Sequence, residues 1–371
     1  MKYYLFIIIF CFIGIICSAQ TDQVYLRNAH INEMKKDFLG AIKDYSKAIE
    51  LAPKNAETYR SRGSCKSELK DYYGAITDYS KAIELEPKYA YGYRVRGSCK
   101  EKLEDYYGAI TDYSKSIELE PDYSLGYIFR GDGKFFLKDY YGAIADYSKA
   151  IELNPNDEDY FRCRGTAKYL LKNYYEAIAD FTKAIDLNPK FAYAYYLRGS
   201  CKSELKDNYG AIADFSKAIE LAPEDAETYR VRGSCKSKLK DNYGAIADFS
   251  KAIELKTEDV SVYFNRGLSK FKIEEYQDAI MDFSKFIEKK PDYVDAYLAR
   301  GSAKSMLIDH RGAILDFTKV IELNPKNSHA YIQRGLSKII LNDNIGGCLD
   351  FSKAGELGDK EAYENIKEYC K

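Results

Sequence analysis

Tryptophan is absent from this 371-residue chain, and His occurs three times, Met four and Pro eight. His30, His310 and His329 stand far apart in the sequence, which leaves little room for histidine catalysis or a histidine-held metal. An excess of either charge is missing too: 56 Lys and Arg face 57 Asp and Glu, a net charge of −1. Binding a nucleic acid calls for a basic surplus to meet its phosphates, so no nucleic-acid partner is expected. No CxxC, HExxH, GxSxG or P-loop spacing occurs, so neither catalytic residues nor a metal or cofactor site is expected. What the chain does have is 46% apolar and 30% charged residues, too much hydrophobicity for a disordered polymer.

Long apolar runs are also scarce. The one clear case is the N-terminus, MKYYLFIIIFCFIGIICSAQ, where Lys2 precedes an apolar stretch from Tyr3 to Ile16. The run is shorter than the roughly 20 residues that span a bilayer, and small residues at Cys17, Ser18 and Ala19 suit a cleavage site. The expectation is a signal peptide over residues 1–19, with an uncleaved anchor as the alternative; in that case alone would the chain meet a membrane. A lipoprotein signal is a weaker fit, because bulky Ile16 precedes Cys17.

The remainder is one unit written ten times at a period of 34 residues, with starts at 22, 56, 90, 124, 158, 192, 226, 260, 294 and 328. Ala56–Tyr89 (AETYRSRGSCKSELKDYYGAITDYSKAIELEPKY) and Ala90–Tyr123 show the likeness directly. Unit position 8 is Gly in nine units, position 20 is Ala in nine and Gly347 in the last, and position 32 is Pro in eight. Thr257 interrupts the prolines. Positions 4, 8, 11 and 14 share one helical face, and 20, 23, 24 and 27 another. Asp or Asn near position 16 marks a turn, and the proline ends the second helix. One such hairpin buries too little apolar surface alone, and stacking supplies the core.

These residues resemble the tetratricopeptide repeat family, from residue 22 to about 359. The resemblance implies an all-α fold: a right-handed superhelix of ten helix-turn-helix repeats whose first helices line a groove for peptides or protein segments. Residues 360–371 (KEAYENIKEYCK) read as a C-terminal cap helix, with Asp359 as N-cap and a stripe of Ala362, Tyr363, Ile366, Tyr369 and Cys370.

The chain departs from the family pattern by carrying Arg at position 7 and Lys at position 11 in nine units, and Asp at position 23 in all ten. An ion-pair ladder between helices follows. The first unit has Asp44 but Asn28 and Asn32 in place of the cations. Pairing from each Asp to the Arg of the next unit would use every cation, so the expected pairs are Asp44–Arg62, Asp78–Arg96, Asp112–Arg130 and Asp146–Arg164. The rival reading is a cationic stripe for an anionic ligand or glycan, with the lysines exposed.

Family positions 2, 5, 9, 12 and 13 of the first helix face the groove. They are polar in units two and seven but apolar in others: Leu125, Ile128, Phe135 and Phe136 in unit four, beside Asp132; Tyr169 and Leu170 in unit five; Phe264, Leu268 and Phe271 in unit eight; Ile332, Leu336, Ile339 and Ile340 in unit ten. Uncovered apolar groups on such a surface mark a contact site, unless neighbouring repeats bury them. The Lys/Asn clamp by which some relatives hold a C-terminal carboxylate is missing, because position 9 is mostly Ser.

Of nine cysteines, Cys11 and Cys17 lie in the export segment. Cys65, Cys99, Cys201 and Cys235 share position 10, a whole repeat or more apart, and read as small buried thiols. Antiparallel packing of the cap would bring Cys348 to Cys370, a possible disulfide in an oxidising compartment. The functional expectation is an exported, non-enzymatic scaffold or adaptor of a bacterial cell envelope or periplasm, with a protein or peptide partner. A structural spacer is the alternative.

Overall fold

The computed structural model describes residues 22–370, which form 21 helices and no strand. The export-segment expectation concerns residues outside that range. Two compact units divide the chain, one ending at Asn188 and one beginning at Pro189. The first contains α1 (22–34), α2 (Phe38–Leu51), α3 (Ala56–Glu68), α4 (Tyr72–Leu85), α5 (Ala90–Lys102), α6 (Tyr106–Leu119), α7 (Ser124–Phe136), α8 (Tyr140–Leu153), α9 (Glu158–Leu170) and α10 (Tyr174–Leu187). The second runs through α11 (Ala192–Glu204), α12 (Asn208–Leu221), α13 (Ala226–Lys238), α14 (Asn242–Glu254), α15 (Ser261–Lys272), α16 (Tyr276–Lys289), α17 (Val294–Met306), α18 (His310–Leu323), α19 (Ser328–Ile340), α20 (Asn344–Glu356) and α21 (Glu361–Tyr369). Odd-numbered helices through α19 are the first of each hairpin and even-numbered ones the second.

One turn design recurs. After α3, Lys70 adopts φ 62°, its N–H bonds the Ser67 carbonyl at 2.9 Å, and the Asp71 N–H bonds that of Lys66 at 2.9 Å. This left-handed helix stop normally uses Gly. Here it is filled by Lys36, Lys70, Glu104, Lys138, Lys172, Lys206, Lys240, Glu274, Ile308 and Asn342, at φ 59–67°. The next residue caps the following helix, as Asp71 accepts from the Gly74 N–H at 2.9 Å. Proline closes the second helix by holding the residue before it extended, as at Glu86 (φ −130°). Where Thr257 replaces proline, α14 stops at Glu254, Lys256 turns to φ 59°, and the Thr257 N–H bonds the Ala252 carbonyl at 3.1 Å.

Packing explains the small residues. The Tyr79 ring lies on Gly63, where a Cβ would come within 2.9 Å of Cε1, and Phe181 covers Gly165 at 2.7 Å. Gly347 stands where the other units have Ala because Ile339 occupies the space, 2.7 Å from the position of a Cβ. Cys65, Cys99, Cys201 and Cys235 are buried free thiols, and burial pushes Cys65 and Cys201 up to about 12. Cys348 and Cys370 form a disulfide, with Cα atoms 5.7 Å apart. Only part of the α21 stripe is covered: Ala362 is buried, whereas Tyr363 and Tyr369 are exposed. Asp359 accepts from the Glu361 N–H at 3.1 Å and from Ser328 Oγ at 2.9 Å, tying this helix to α19.

The ion ladder forms inside each hairpin, and the expected pairing between repeats is wrong. Arg62 donates Nε and Nη2 to Asp78 at 2.9 and 2.6 Å, and Lys66 reaches the same carboxylate at 2.8 Å. Arg96–Asp112, Arg130–Asp146 and Arg164–Asp180 repeat the geometry, as do Arg232–Asp248 through Arg334–Asp350 in the second unit. The inter-repeat bond goes to a hydroxyl instead: Arg62 Nη1 donates to Ser46 at 3.0 Å and Arg96 to Ser80 at 3.1 Å. Asp44 finds a neutral partner, Asn32 Nδ2 at 3.0 Å, so it needs no Arg62. The premise that Asp44 required a cation was the error, because an amide at position 11 satisfies the carboxylate from within its own hairpin.

Candidate functional site on the first helices of the hairpins

The expected groove residues divide by accessibility. Ile128 and Ile332 are buried, which removes both as contact residues. Ile128 packs with Tyr147 and Tyr160, and Ile332 lies beside Ala354 and Ala362 beneath α21. Leu125, Phe135, Tyr169, Phe264, Leu268, Phe271, Leu336 and Ile339 are half-buried. Phe264 belongs to an aromatic group with Phe283, Phe286 and Tyr293, at centroid distances of 5.8, 5.3 and 5.4 Å. Phe271 meets Tyr276 at 5.3 Å, and Tyr169 meets Tyr174 at 5.6 Å. Much of the apolar character read from the sequence is therefore hairpin packing.

Phe136, Leu170 and Ile340 remain open, at 55%, 43% and 57% exposure. All three occupy position 13, as do Met34 and Met306, exposed residues that the sequence reading passed over. Phe136 stacks on Tyr106 of the preceding hairpin, centroids 5.0 Å apart and planes 16° apart, and meets Phe135 edge-on at 6.2 Å. One helical turn before it stands Asp132, which accepts a hydrogen bond from Tyr147 Oη at 2.7 Å. Burial raises the Asp132 carboxyl above the usual range, and the Glu101 charge adds to this; the Tyr147 bond and Arg162 act the other way. Beside it, burial pushes the Cys163 thiol up to about 12, so it is no activated nucleophile.

Several basic groups on this face are already engaged, whereas Lys102, Lys238 and Lys272 stand exposed at position 13. Arg60 pairs with Glu86 at 2.6 Å and lies 4.2 Å over the Tyr89 ring. Arg94 pairs with Glu120 and covers Tyr123 in the same way. Arg162 donates to Asp159 at 2.7 Å. The ladder lysines sit on Asp carboxylates, Lys100 on Asp112 at 2.8 Å for instance, so the exposed cationic stripe that an anion or glycan reading requires does not form. At the start of the first unit, a cavity of about 610 Å³ opens between α1 and α3, lined by Arg27, His30, Met34, Tyr45, Glu57 and Ser61 among others. Among the described residues, no three His, Cys, Asp or Glu side chains converge as a metal site.

The tetratricopeptide repeat model matches residues 56–89, 93–123, 126–157, 164–191 and 192–225. The matched stretches between residues 56 and 225 belong to the tetratricopeptide repeat family. Two solved structures agree on the fold. The C-terminal part of a repeat-containing protein from Cytophaga hutchinsonii is 21% identical, covers 64% of this chain and 98% of its own, and has a TM-score of 0.55. A tetratricopeptide repeat protein from Parabacteroides merdae is 20% identical, covers 67% and 99%, and has a TM-score of 0.51. The MamA protein is 26% identical over 47% of this chain and 95% of its own, with a TM-score of 0.45. No curated protein matches the sequence. Tetratricopeptide repeats are in general non-enzymatic scaffolds for protein interaction.

Proposed function

We propose that this chain is an exported, non-enzymatic adaptor of a bacterial cell envelope that holds a segment of a partner protein on the first-helix face of its repeats. The observation that carries the reading is the open aromatic edge at Phe136, stacked on Tyr106 and one turn from the half-buried Asp132. An exposed aromatic backed by fixed neighbours loses little freedom on binding and offers a large contact area. Export rests on the N-terminal apolar run, and the Cys348–Cys370 disulfide suits an oxidising compartment.

The test is affinity capture from an envelope extract with the tagged mature chain and with its Phe136→Ala variant, after circular dichroism shows that both are equally helical. The reading expects a near-stoichiometric partner that the variant loses. No partner for either form points to the spacer reading, which the near-identical, polar units two, three, six and seven favour. Mass spectrometry of the mature N-terminus tests export: the reading expects the chain to begin near Gln20, whereas an intact Met1 in the cytosolic fraction contradicts it.

A further inference from the structure

Position 24 is the large buried ring of every second helix, Tyr in the first four repeats and Phe in the last six. A single oxygen distinguishes the two sets, and that oxygen is put to use on the first-helix face. Tyr45 Oη donates to Glu33 at 2.8 Å, Tyr113 to Glu101 at 2.9 Å, and Tyr147 to Asp132 at 2.7 Å. These carboxylates occupy position 12 or 9 of their repeats. In the second repeat Tyr79 faces Ser64. In the six Phe repeats positions 9 and 12 carry no acid at all: Thr166 and Tyr169, Ser200 and Ser203, and so on to Leu336 and Ile339. At positions 9 and 12, then, acid occurs only in repeats whose second helix carries the tyrosine.

Among the described residues, Glu101 and Asp132, in adjacent repeats, make no ion pair. The guanidinium groups of Arg60, Arg94 and Arg162 are paired with Glu86, Glu120 and Asp159, Arg162 still eases the Asp132 charge, and exposed Lys102 follows Glu101 in the chain. A tyrosine hydroxyl fixes a carboxylate but does not neutralise it, and the Glu101 charge raises the cost of ionising Asp132. Partly buried charge of one sign is normally matched by a counter-charge. Asp132 also shares a helical face with Phe135 and Phe136, and Leu170 lies exposed on the next first helix, α9. Charge and surface together describe the missing group as a cation carried by an apolar chain.

We propose that the first-helix face of the first unit binds a peptide segment in which lysine or arginine alternates with apolar residues, the cations meeting Glu101 and Asp132 and the apolar groups covering Phe136 and Leu170. The inference rests on the adaptor reading and adds the chemistry of the partner to it. Glu33, with His30 Nδ1 3.7 Å away, lies at the start of the same face and favours a further cation.

The experiment measures fluorescence anisotropy of three labelled probes against the full mature chain: alternating lysine and leucine, serine and leucine, and glutamate and leucine. The lysine probe is expected to bind most tightly and to weaken with added salt. Glu101→Gln and Asp132→Asn, which keep the acceptor for tyrosine, are each expected to weaken it about tenfold, the equivalent of about 1.4 kcal/mol. The serine probe should be indifferent to both. A lysine probe that binds no better than the serine probe, or is insensitive to the double variant, overturns the inference. Should the serine probe then still lose binding in Phe136→Ala, the adaptor reading stands without it. Absence of binding by every probe, or calcium binding at Glu101 and Asp132 without peptide binding, also overturns the cationic-segment inference.

Discussion

The sharpest energetic prediction concerns the register of the ion ladder. Asp112 is 2% exposed and receives two bonds from Arg96, at 2.9 and 2.6 Å, and a third from Lys100 at 2.8 Å. Removing one member of a buried pair costs about 3–5 kcal/mol, because the charge left behind stays desolvated. Because Lys100 keeps its contact with Asp112, Arg96→Met is expected to cost the lower end of that range, about 3 kcal/mol, and Asp112→Asn somewhat less, since the amide keeps the shape and both cations reach solvent. In the double variant the stranded charge is gone, so a cycle through both should return a coupling of about 2 kcal/mol or more. The parallel cycle of Arg96→Met with Asp78→Asn crosses repeats, where Arg96 meets the Ser80 hydroxyl, and should return less than about 0.5 kcal/mol. Urea unfolding followed by circular dichroism gives the free energies. Native-state hydrogen exchange keeps the comparison local, because repeat arrays open in parts. A larger coupling for Asp78 than for Asp112 would refute the intra-hairpin ladder.

Other outcomes follow from single positions. Ile308 is a β-branched residue at φ 65°, exposed at its turn, so Ile308→Gly should raise stability by about 1 kcal/mol in the same urea titration. Gly165→Ala should cost about 1–3 kcal/mol, because the new methyl meets Phe181, and adding Phe181→Leu should recover part of it. The folded Asp132 carboxyl lies above its unfolded value, so its ionisation lowers stability as pH rises from the ordinary carboxylate range through the folded value. Asp132→Asn should therefore be at least as stable as the parent at neutral pH and less pH-dependent in that window, even while peptide binding weakens. Denaturation midpoints at pH 4 to 8 check this, and a variant that loses stability only at neutral pH would contradict it. Reducing Cys348–Cys370 opens a loop of 22-residue separation and should speed amide exchange in α21, with little effect on the first unit.

Most of the architecture was legible because each unit repeats the same solution: Gly63 exists for the Tyr79 ring, Asp71 for the next helix N-terminus, and Pro87 for the stop. A period of 34 lets ten copies vote on each position. The ladder's register was not legible, since Arg at position 7 lies within sequence reach of two aspartates and only the hairpin geometry chooses. The family's groove positions do not hold at Ile128 and Ile332, because here neighbouring rings and the cap helix close over them. The Glu33, Glu101 and Asp132 set left a readable trace, the change from Tyr to Phe at position 24. Its meaning depended on seeing where the hydroxyl points.

The most direct test of partner binding places a photo-crosslinking residue at Phe136, or at Tyr141, a 73% exposed site on the second helix of the same hairpin, in the full chain expressed in its native cells. Irradiation should give one discrete crosslinked species from Phe136 and none from Tyr141. Equal crosslinking from both sites, or none from Phe136, would contradict a partner segment held on the first-helix face.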